Sequence, residues 1–330
     1  MAANLTPQYL KAQEEYRRAQ TTEEEIRCLE IMLKEIPKHK ASEKMQADLK
    51  TKLATAKKEL QKEKSSGKKT TGVRIPRQGA GTAIVLGGPN AGKSQLVCSL
   101  TRATPEVAEY PFTTRAPQPG MMQWEDVMVQ LVDTPPVTAD FFESYMHGLV
   151  RGSDVVLLML DLGDDDGVEQ CQDVLNRFSE IKTRLAKSTG LDENDVGISY
   201  TATILVPNKI DLPDAAERYE LFQELCPVDF PVQMISATRG DGLDDLRKRI
   251  YETLDVVRVY TKQPTQKDPD MEKPFTIPRG QTILEVAEQI HKDIAANFKS
   301  ARVWGKNVHD GTSVKADYVP EDRDIVEIHV

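Results

Sequence analysis

The chain lacks most of what an exported or membrane-bound protein needs. Its 330 residues hold four cysteines, Cys28, Cys98, Cys171 and Cys226. They are far apart and form no C-x-x-C pair, which excludes a disulfide framework and a cysteine-built zinc site and fits a reduced, cytoplasmic protein. No apolar run approaches the ~20 residues of a membrane-spanning helix. The N-terminus lacks the apolar stretch of a secretory leader. Basic charge is not in excess either. The net charge of −9 argues against a protein that coats nucleic acid through overall charge. His147, His291 and His309 have no Cys or carboxylate at metal spacing, so they read as surface or packing residues. Asp164-Asp165-Asp166 lacks the alternating ligands of a calcium loop and reads as a solvated acidic turn. There is no fixed-period repeat and no low-complexity tract.

What is present divides the chain. Residues 1–75 hold 17 Lys/Arg against 11 Asp/Glu. This is the basic part of an otherwise acidic protein, read as a solvated helix face or a local docking surface. Helices are expected from Thr6-Pro7, from about Thr22 to Pro37, and from Ser42 to Lys64. Met45, Leu49, Leu53 and Leu60 stripe the last one, as in a helical hairpin. Apolar runs at Ala83–Leu86, Val127–Val132, Val155–Leu160, Ala202–Val206 and Val232–Ile235 then alternate with helical patterns. That alternation predicts an α/β layer with a largely parallel sheet over 76–257. Residues 258–273, with Pro264 and Pro269, read as a linker. Residues 274–330 read as a small sheet clasping one helix, Ile283 to Asn297.

The chemistry sits at the ends of these strands. Gly87-Gly88-Pro89-Asn90-Ala91-Gly92-Lys93-Ser94 fits G-x-x-x-x-G-K-[ST], between the first strand and a helix from Lys93 to Arg102. In that context backbone N–H groups and a helix N-terminus cradle phosphate oxygens. Lys93 reaches the β- and γ-phosphates, and Ser94 offers a hydroxyl to Mg²⁺. Asp133-Thr134-Pro135 ends the second run. Asp133 there reads as a magnesium ligand, usually through water, or as a simple turn cap. Asn208-Lys209-Ile210-Asp211 ends the fourth. Asp211 can accept two hydrogen bonds from the N1–H and N2 amino groups of guanine, an edge adenine lacks. The Lys209 stem can pack on the base. A backbone N–H at Ser236-Ala237 can bind the guanine O6. Tyr110-Pro111-Phe112-Thr113-Thr114 lies where a threonine can take Mg²⁺ when the γ-phosphate is present and release it afterwards.

This set resembles the translation-factor-type GTPases, and Tyr110–Thr114 resembles the first switch of the Obg-like branch. Residues 274–330 resemble a TGS domain, a β-grasp module. Ala301-Arg302-Val303-Trp304-Gly305 and Val319–Ile328 bring the chain nearest to the developmentally regulated GTP-binding protein family, as a compact, bacterial-type relative without that family's inserted domain. The resemblance implies a P-loop G domain with a largely parallel sheet, preceded by an N-terminal helical hairpin and followed by the TGS unit. It implies nucleotide binding by Gly87, Pro89, Asn90, Ala91, Gly92, Lys93, Ser94, Gln95, Asp133, Asn208, Lys209, Asp211, Ser236 and Ala237. It implies Mg²⁺ on Ser94, Thr114 and Asp133, with Thr114 the better switch ligand than Thr113.

Two departures bear on catalysis. The glycine of the family's D-x-x-G is Pro136, which has no N–H to give the γ-phosphate. The water-orienting glutamine of Ras-like proteins is replaced by Val137, as in Obg-like relatives. The resemblance then makes Asn90 a candidate catalytic residue with Lys93 and Thr114, through a K⁺ ion held by its amide oxygen. The other reading of Asn90 is a loop-turn residue. Trp304 reads as a nucleic-acid stacking platform or as half-buried core. Three functions are in play. One is a GTPase switch acting on RNA or ribosome-associated partners through its helices and TGS unit. Another is a guanine-nucleotide-binding scaffold that hardly turns over. An ATP-using P-loop enzyme is disfavoured by Asn208–Asp211.

Overall fold

A computed structural model describes residues 5–37, 42–65, 75–101, 117–143, 145–192, 197–266 and 268–330. Three helices come first: α1 (Pro7–Arg17), α2 (Thr22–Glu35) and α3 (Glu43–Ser65). Thr6 caps α1 by accepting the Tyr9 N–H at 3.1 Å, and Thr21 caps α2 by accepting that of Glu24. Each cap satisfies a backbone donor that the helix itself leaves unpaired. The helices form a three-helix unit with its own core, built on Tyr9, Tyr16, Leu29, Met32 and Leu49. Met45, Leu49 and Leu53 of the expected stripe reach that core, joined by Ala56 rather than by Leu60.

The central layer follows: β1 (Thr82–Leu86), α4 (Lys93–Leu100), β2 (Gln118–Trp124), β3 (Val127–Asp133), α5 (Met146–Gly152), β4 (Val155–Asp161), α6 (Gly167–Glu180), β5 (Thr183–Ala186), β6 (Gly190–Leu191), β7 (Ser199–Asn208), α7 (Ala215–Leu225) and α8 (Leu243–Leu254). The sheet order is β2-β3-β1-β4-β7-β5, with β6 beside β7. The central pairs are parallel; β2 on β3 and β6 on β7 are antiparallel. Alternate residues of each strand serve opposite faces. Ala83, Val85, Leu157 and Met159 pack toward α4 and α8, while Ile84, Leu86, Val156 and Leu158 pack toward α5, α6 and α7. Burial on both faces explains why these strands read as continuous apolar runs. The expected strand Val232–Ile235 makes one bridge, Leu205 to Val232, and runs along β7 through hydrogen bonds from Gln233 and Ile235.

The last sheet has the order β11-β10-β12-β8-β9. Its elements are β8 (Val256–Thr261), β9 (Asp270–Pro278), α9 (Ile283–Ile290), α10 (Lys292–Ala296), β10 (Ser300–Gly305), β11 (Val308–Val314) and β12 (Asp324–His329). Two expectations are corrected here. Residues 258–273 are not a linker throughout, because β8 and β9 enter from its two ends. Val257 and Val259 are buried in the sheet's core, and that alternation outweighs the prolines farther on. The single helix Ile283–Asn297 is two, broken where His291 takes an extended conformation and caps α10 by accepting the Asp293 N–H.

The outer units sit on the central layer through buried arginines. Arg151 of α5 donates to the carbonyls of Tyr16 (2.8 Å) and Arg17 (3.2 Å), pairs with Glu25 and stacks over the Tyr16 ring. A cation there meets the carbonyls at the negative end of the α1 dipole. Gly148 lets the chains approach, since a Cβ there would lie 2.4 Å from the Gln20 carbonyl oxygen. On the other side Arg258 of β8 binds Asp322 (2.7 Å), Asp126 (2.9 Å) and Glu125, which fastens the last sheet to the β2–β3 turn.

Candidate nucleotide-binding site

The phosphate loop begins where β1 ends. Gly92 adopts φ +90°, and a Cβ there would lie 2.4 Å from the Asn208 Nδ2 atom. Only glycine meets both demands. Lys93 opens α4 and folds back into the loop, where its ammonium donates to the carbonyls of Gly88 (2.6 Å) and Gly87 (3.2 Å). It is 7% exposed. Burial lowers its pKa to about 8, with Asp133 pulling weakly the other way. The loop therefore holds a desolvated cation with no full counter-charge, which a phosphate would supply. Asn90 is exposed at the tip, in the left-handed region at φ +57°. That geometry agrees with the turn role and leaves the side chain accessible to a ligand.

Parallel register places Asp133 beside Val85, at the loop's root. Its Oδ2 accepts the Ser94 hydroxyl at 2.5 Å, while its buried Oδ1 has no hydrogen-bond partner. Burial raises its pKa, against the opposing pull of Ser94 and Lys93. A hydroxyl and an unsatisfied carboxylate oxygen beside a phosphate loop are hard oxygen donors of the kind Mg²⁺ takes, directly or through water. Among the described residues no cluster of three or more His, Cys, Asp or Glu forms a metal site. The fit to Mg²⁺ therefore depends on phosphate oxygens as well. Thr134 donates its hydroxyl to the Val85 carbonyl at 2.6 Å, so it locks β3 to β1. Beyond Pro136, the Val137 N–H donates to the Gly87 carbonyl at 3.2 Å and the side chain is buried. Thr113 and Thr114 lie outside the described residues.

The residues expected to read the base are tied to the same loop. Asn208 is 2% exposed. Its Nδ2 donates to the Ala91 carbonyl and its Oδ1 accepts the Ala237 N–H, both at 3.0 Å. One side chain thus joins the phosphate loop to the Ser236-Ala237 turn. Both amides of that turn are taken, Ala237 by Asn208 and Ser236 by the Asp241 carbonyl at 3.0 Å. A guanine O6 that takes one of these amides therefore has to displace a bond within the protein. The Ser236 hydroxyl binds Asp211 and holds that exposed carboxyl below its ordinary range. Gln95 is exposed one residue beyond Ser94 and donates to Ser99 at 3.2 Å, along α4 rather than into the loop.

Comparison with known proteins agrees with this geometry. Residues 82–191 match the family described as 50S ribosome-binding GTPase, and residues 257–330 match the TGS domain. An uncharacterised GTP-binding protein of Methanocaldococcus jannaschii is 30% identical over 93% of this chain and 92% of its own length. Developmentally-regulated GTP-binding protein 1 of Xenopus laevis is 28% identical over 91% and 96%. Developmentally-regulated G-protein 2 of Arabidopsis thaliana is 25% identical over 92% and 90%. The chain belongs to the developmentally regulated GTP-binding protein family. It is a GTP-binding protein of the Obg-like kind with a C-terminal TGS domain. The alignment with the archaeal family member spans 362 positions, more than the 330 residues here, so that relative carries residues this member lacks. Among solved structures, the YchF GTPase of Schizosaccharomyces pombe is similar in fold, with a TM-score of 0.51 at 13% identity over 78% of this chain and 99% of that one.

Sequence reasoning missed one residue at the heart of this family site. Asp161 ends β4 and pairs with Lys209 at 2.6 Å. The signal existed, since Asp161 closes an apolar run as Asp133 and Asn208 close theirs. It belongs to no recognised motif. Trp304 is half-buried, with the Lys262 ammonium 4.7 Å above its ring. No helix among the described residues is long and apolar enough to cross a membrane.

Proposed function

We propose that the protein binds GTP with Mg²⁺ and hydrolyses it to GDP and phosphate. The observation that carries this reading is the joined pair of half-sites. Asn208 fixes the base-reading turn to a phosphate loop whose Lys93 cation and Asp133 carboxylate oxygen both lack full partners. On binding, the Lys93 ammonium exchanges the Gly87 and Gly88 carbonyls for the β- and γ-phosphate oxygens. Loop amides and the start of α4 supply further positive potential where charge builds up on the transferring phosphoryl group. Ser94, Asp133 and Thr114 would hold Mg²⁺, which neutralises charge between the phosphates. Asp211, oriented by Ser236, reads the guanine edge.

Pro136 and Val137 leave this chain without the usual γ-phosphate amide and water-orienting side chain. A K⁺ ion on Asn90 would supply positive charge instead, worth ~10³–10⁵ in rate where an arginine does the same work. The accessible position of Asn90 supports that role. The nucleotide state would control docking to RNA or a ribosome-associated partner in the cytoplasm. The basic N-terminal helices, the TGS domain and the match to a family described as ribosome-binding support this part.

A second reading has its own observation. The next amide after Pro136, that of Val137, is committed to the Gly87 carbonyl. That commitment favours a guanine-nucleotide-binding scaffold with negligible turnover. Single-turnover GTP hydrolysis in matched KCl and NaCl, with Lys93→Ala as blank, separates the two. The GTPase reading expects turnover that rises in KCl and vanishes in the variant. Equal rates in both salts would remove the K⁺ role. Tight binding without turnover in either salt would replace the enzyme with the scaffold.

A further inference from the structure

We infer that Asp161 is a positioning residue for base recognition, anchoring the Lys209 ammonium so that the Lys209 stem is fixed as the platform for the base. The inference rests on the guanine reading proposed above. The fold supplies the juxtaposition. Parallel register sets Asp161 opposite Asn208, so its carboxylate falls beside the next residue, Lys209.

The pair is built rather than incidental. Asp161 is 3% exposed on its side chain and Lys209 30%, with Nζ and Oδ2 at 2.6 Å. The other oxygen, Oδ1, accepts the Gly163 N–H at 2.8 Å, so the carboxylate cannot rotate away without losing a second bond. Lys209 has φ +66°, a backbone conformation rarely kept by a non-glycine residue unless its surroundings hold it. Gly163 faces the stem directly. A Cβ there would stand 2.7 Å from Lys209 Cδ and from Leu212 Cδ1, and 3.3 Å from Asp161 Oδ1. Behind this contact, Arg218 donates to the carbonyls of Leu162 and Pro213, both at 3.0 Å, and to Asp165 at 2.7 Å. Those bonds lace the loop after β4 to the turn that follows Asp211.

The energetic argument concerns order. A free lysine stem holds rotamer freedom whose loss weakens binding by a factor of about thirty. An anchor formed on folding removes that loss from the binding step. The pair is near the surface on the lysine side, so solvent screening brings the expected effect toward the lower end of a ten- to thirtyfold range.

Asp161→Asn keeps the shape and the Gly163 bond while removing the charge. Calorimetric affinities of GDP, ADP and inorganic triphosphate for the full chain test it. The expected result is about tenfold weaker GDP binding with unchanged triphosphate binding, because triphosphate occupies the loop without a base. In a Lys209→Met background the same change should do nothing further. Gly163→Ala, which leaves the carboxylate intact and displaces the stem, should repeat the GDP-specific loss. Equal losses for GDP and triphosphate would make Asp161 merely structural and overturn the inference. So would undiminished GDP binding in both Asp161→Asn and Gly163→Ala. A wild-type protein with no preference for GDP over ADP would overturn the guanine reading itself, and this inference with it.

Discussion

Nucleotide binding to this protein should take up a proton, and the amount follows from Lys93. Its pKa in the nucleotide-free loop is about 8, against an ordinary 10.5, because burial penalises the ammonium more than Asp133 relieves it. The sign is fixed by linkage. A base whose folded pKa is depressed destabilises the folded chain below about pH 8, and stability rises with pH between about 8 and 10.5, where the unfolded chain holds more protons. Phosphate oxygens reverse the penalty and return the group to its charged form. The proton taken up is then the fraction missing beforehand, roughly 0.1 at pH 7, 0.5 at pH 8 and 0.9 at pH 9. Affinity should fall about tenfold from pH 7 to pH 9. Titration calorimetry with GDP at pH 8, in buffers of different ionisation enthalpy, reads the uptake directly. GDP suits the purpose because its phosphates are already ionised above about pH 7.5. Lys93→Arg stays charged throughout and should bind with no uptake near pH 8. Absent uptake in the wild type, or equal uptake in the arginine variant, would refute the argument that Lys93 waits in the loop as a desolvated cation.

Further outcomes follow from other contacts. Asp211→Asn should shift preference from guanine to xanthine nucleotides by about a hundredfold or more, since the amide donates where the carboxylate accepts; competition between XDP and GDP measures it. Asn208→Ala removes both 3.0 Å bonds between the loop and the Ser236-Ala237 turn and leaves the Ala237 N–H buried and unpaired. It should cost about 2–3 kcal/mol in denaturant unfolding of the nucleotide-free protein and abolish tight GDP binding. Arg151→Met should loosen the N-terminal unit, with faster hydrogen exchange in α1 and α2 and unchanged protection in β1 and β4, because two helix-end carbonyls and Glu25 lose their shared donor.

The parts legible in the sequence share a physical cause. Asp133 and Asn208 lie at strand ends, Lys93 and Ser94 at the start of the helix that follows β1, and Asp211 in the turn that follows β7, where an apolar run stops and a polar group must face the open edge of the sheet. Burial of the strands on both faces makes the runs easy to read, and the register then collects their ends. The apolar stripe of α3 was legible because one face of that helix packs into the helical unit's core. What the sequence hid depends on residues far apart meeting. Arg151 and Arg258 look like surface charge in one dimension. They become buried because helix-end carbonyls of α1 and the carboxylates of Glu125, Asp126 and Asp322 converge on them. The β8 strand was masked by the prolines beyond it, since composition averaged over 258–273 cannot show that Val257 and Val259 alternate into another unit's core.

Pro136 shows how the two kinds of knowledge combine. The residue type alone says that a donor to the γ-phosphate is gone. The structure adds that the next amide is engaged elsewhere, holding the chain after β3 against Gly87 at the root of the phosphate loop. Gly87 also accepts from Lys93. The Gly87 carbonyl thus has two donors, the Lys93 ammonium and the Val137 N–H, both at 3.2 Å. The segment after Pro136 leads into α5, and α5 carries Arg151, which grips the N-terminal helices. In this chain the amide after Pro136 therefore grips the root of the phosphate loop, on the same stretch of chain that continues to the helix whose Arg151 holds the N-terminal unit.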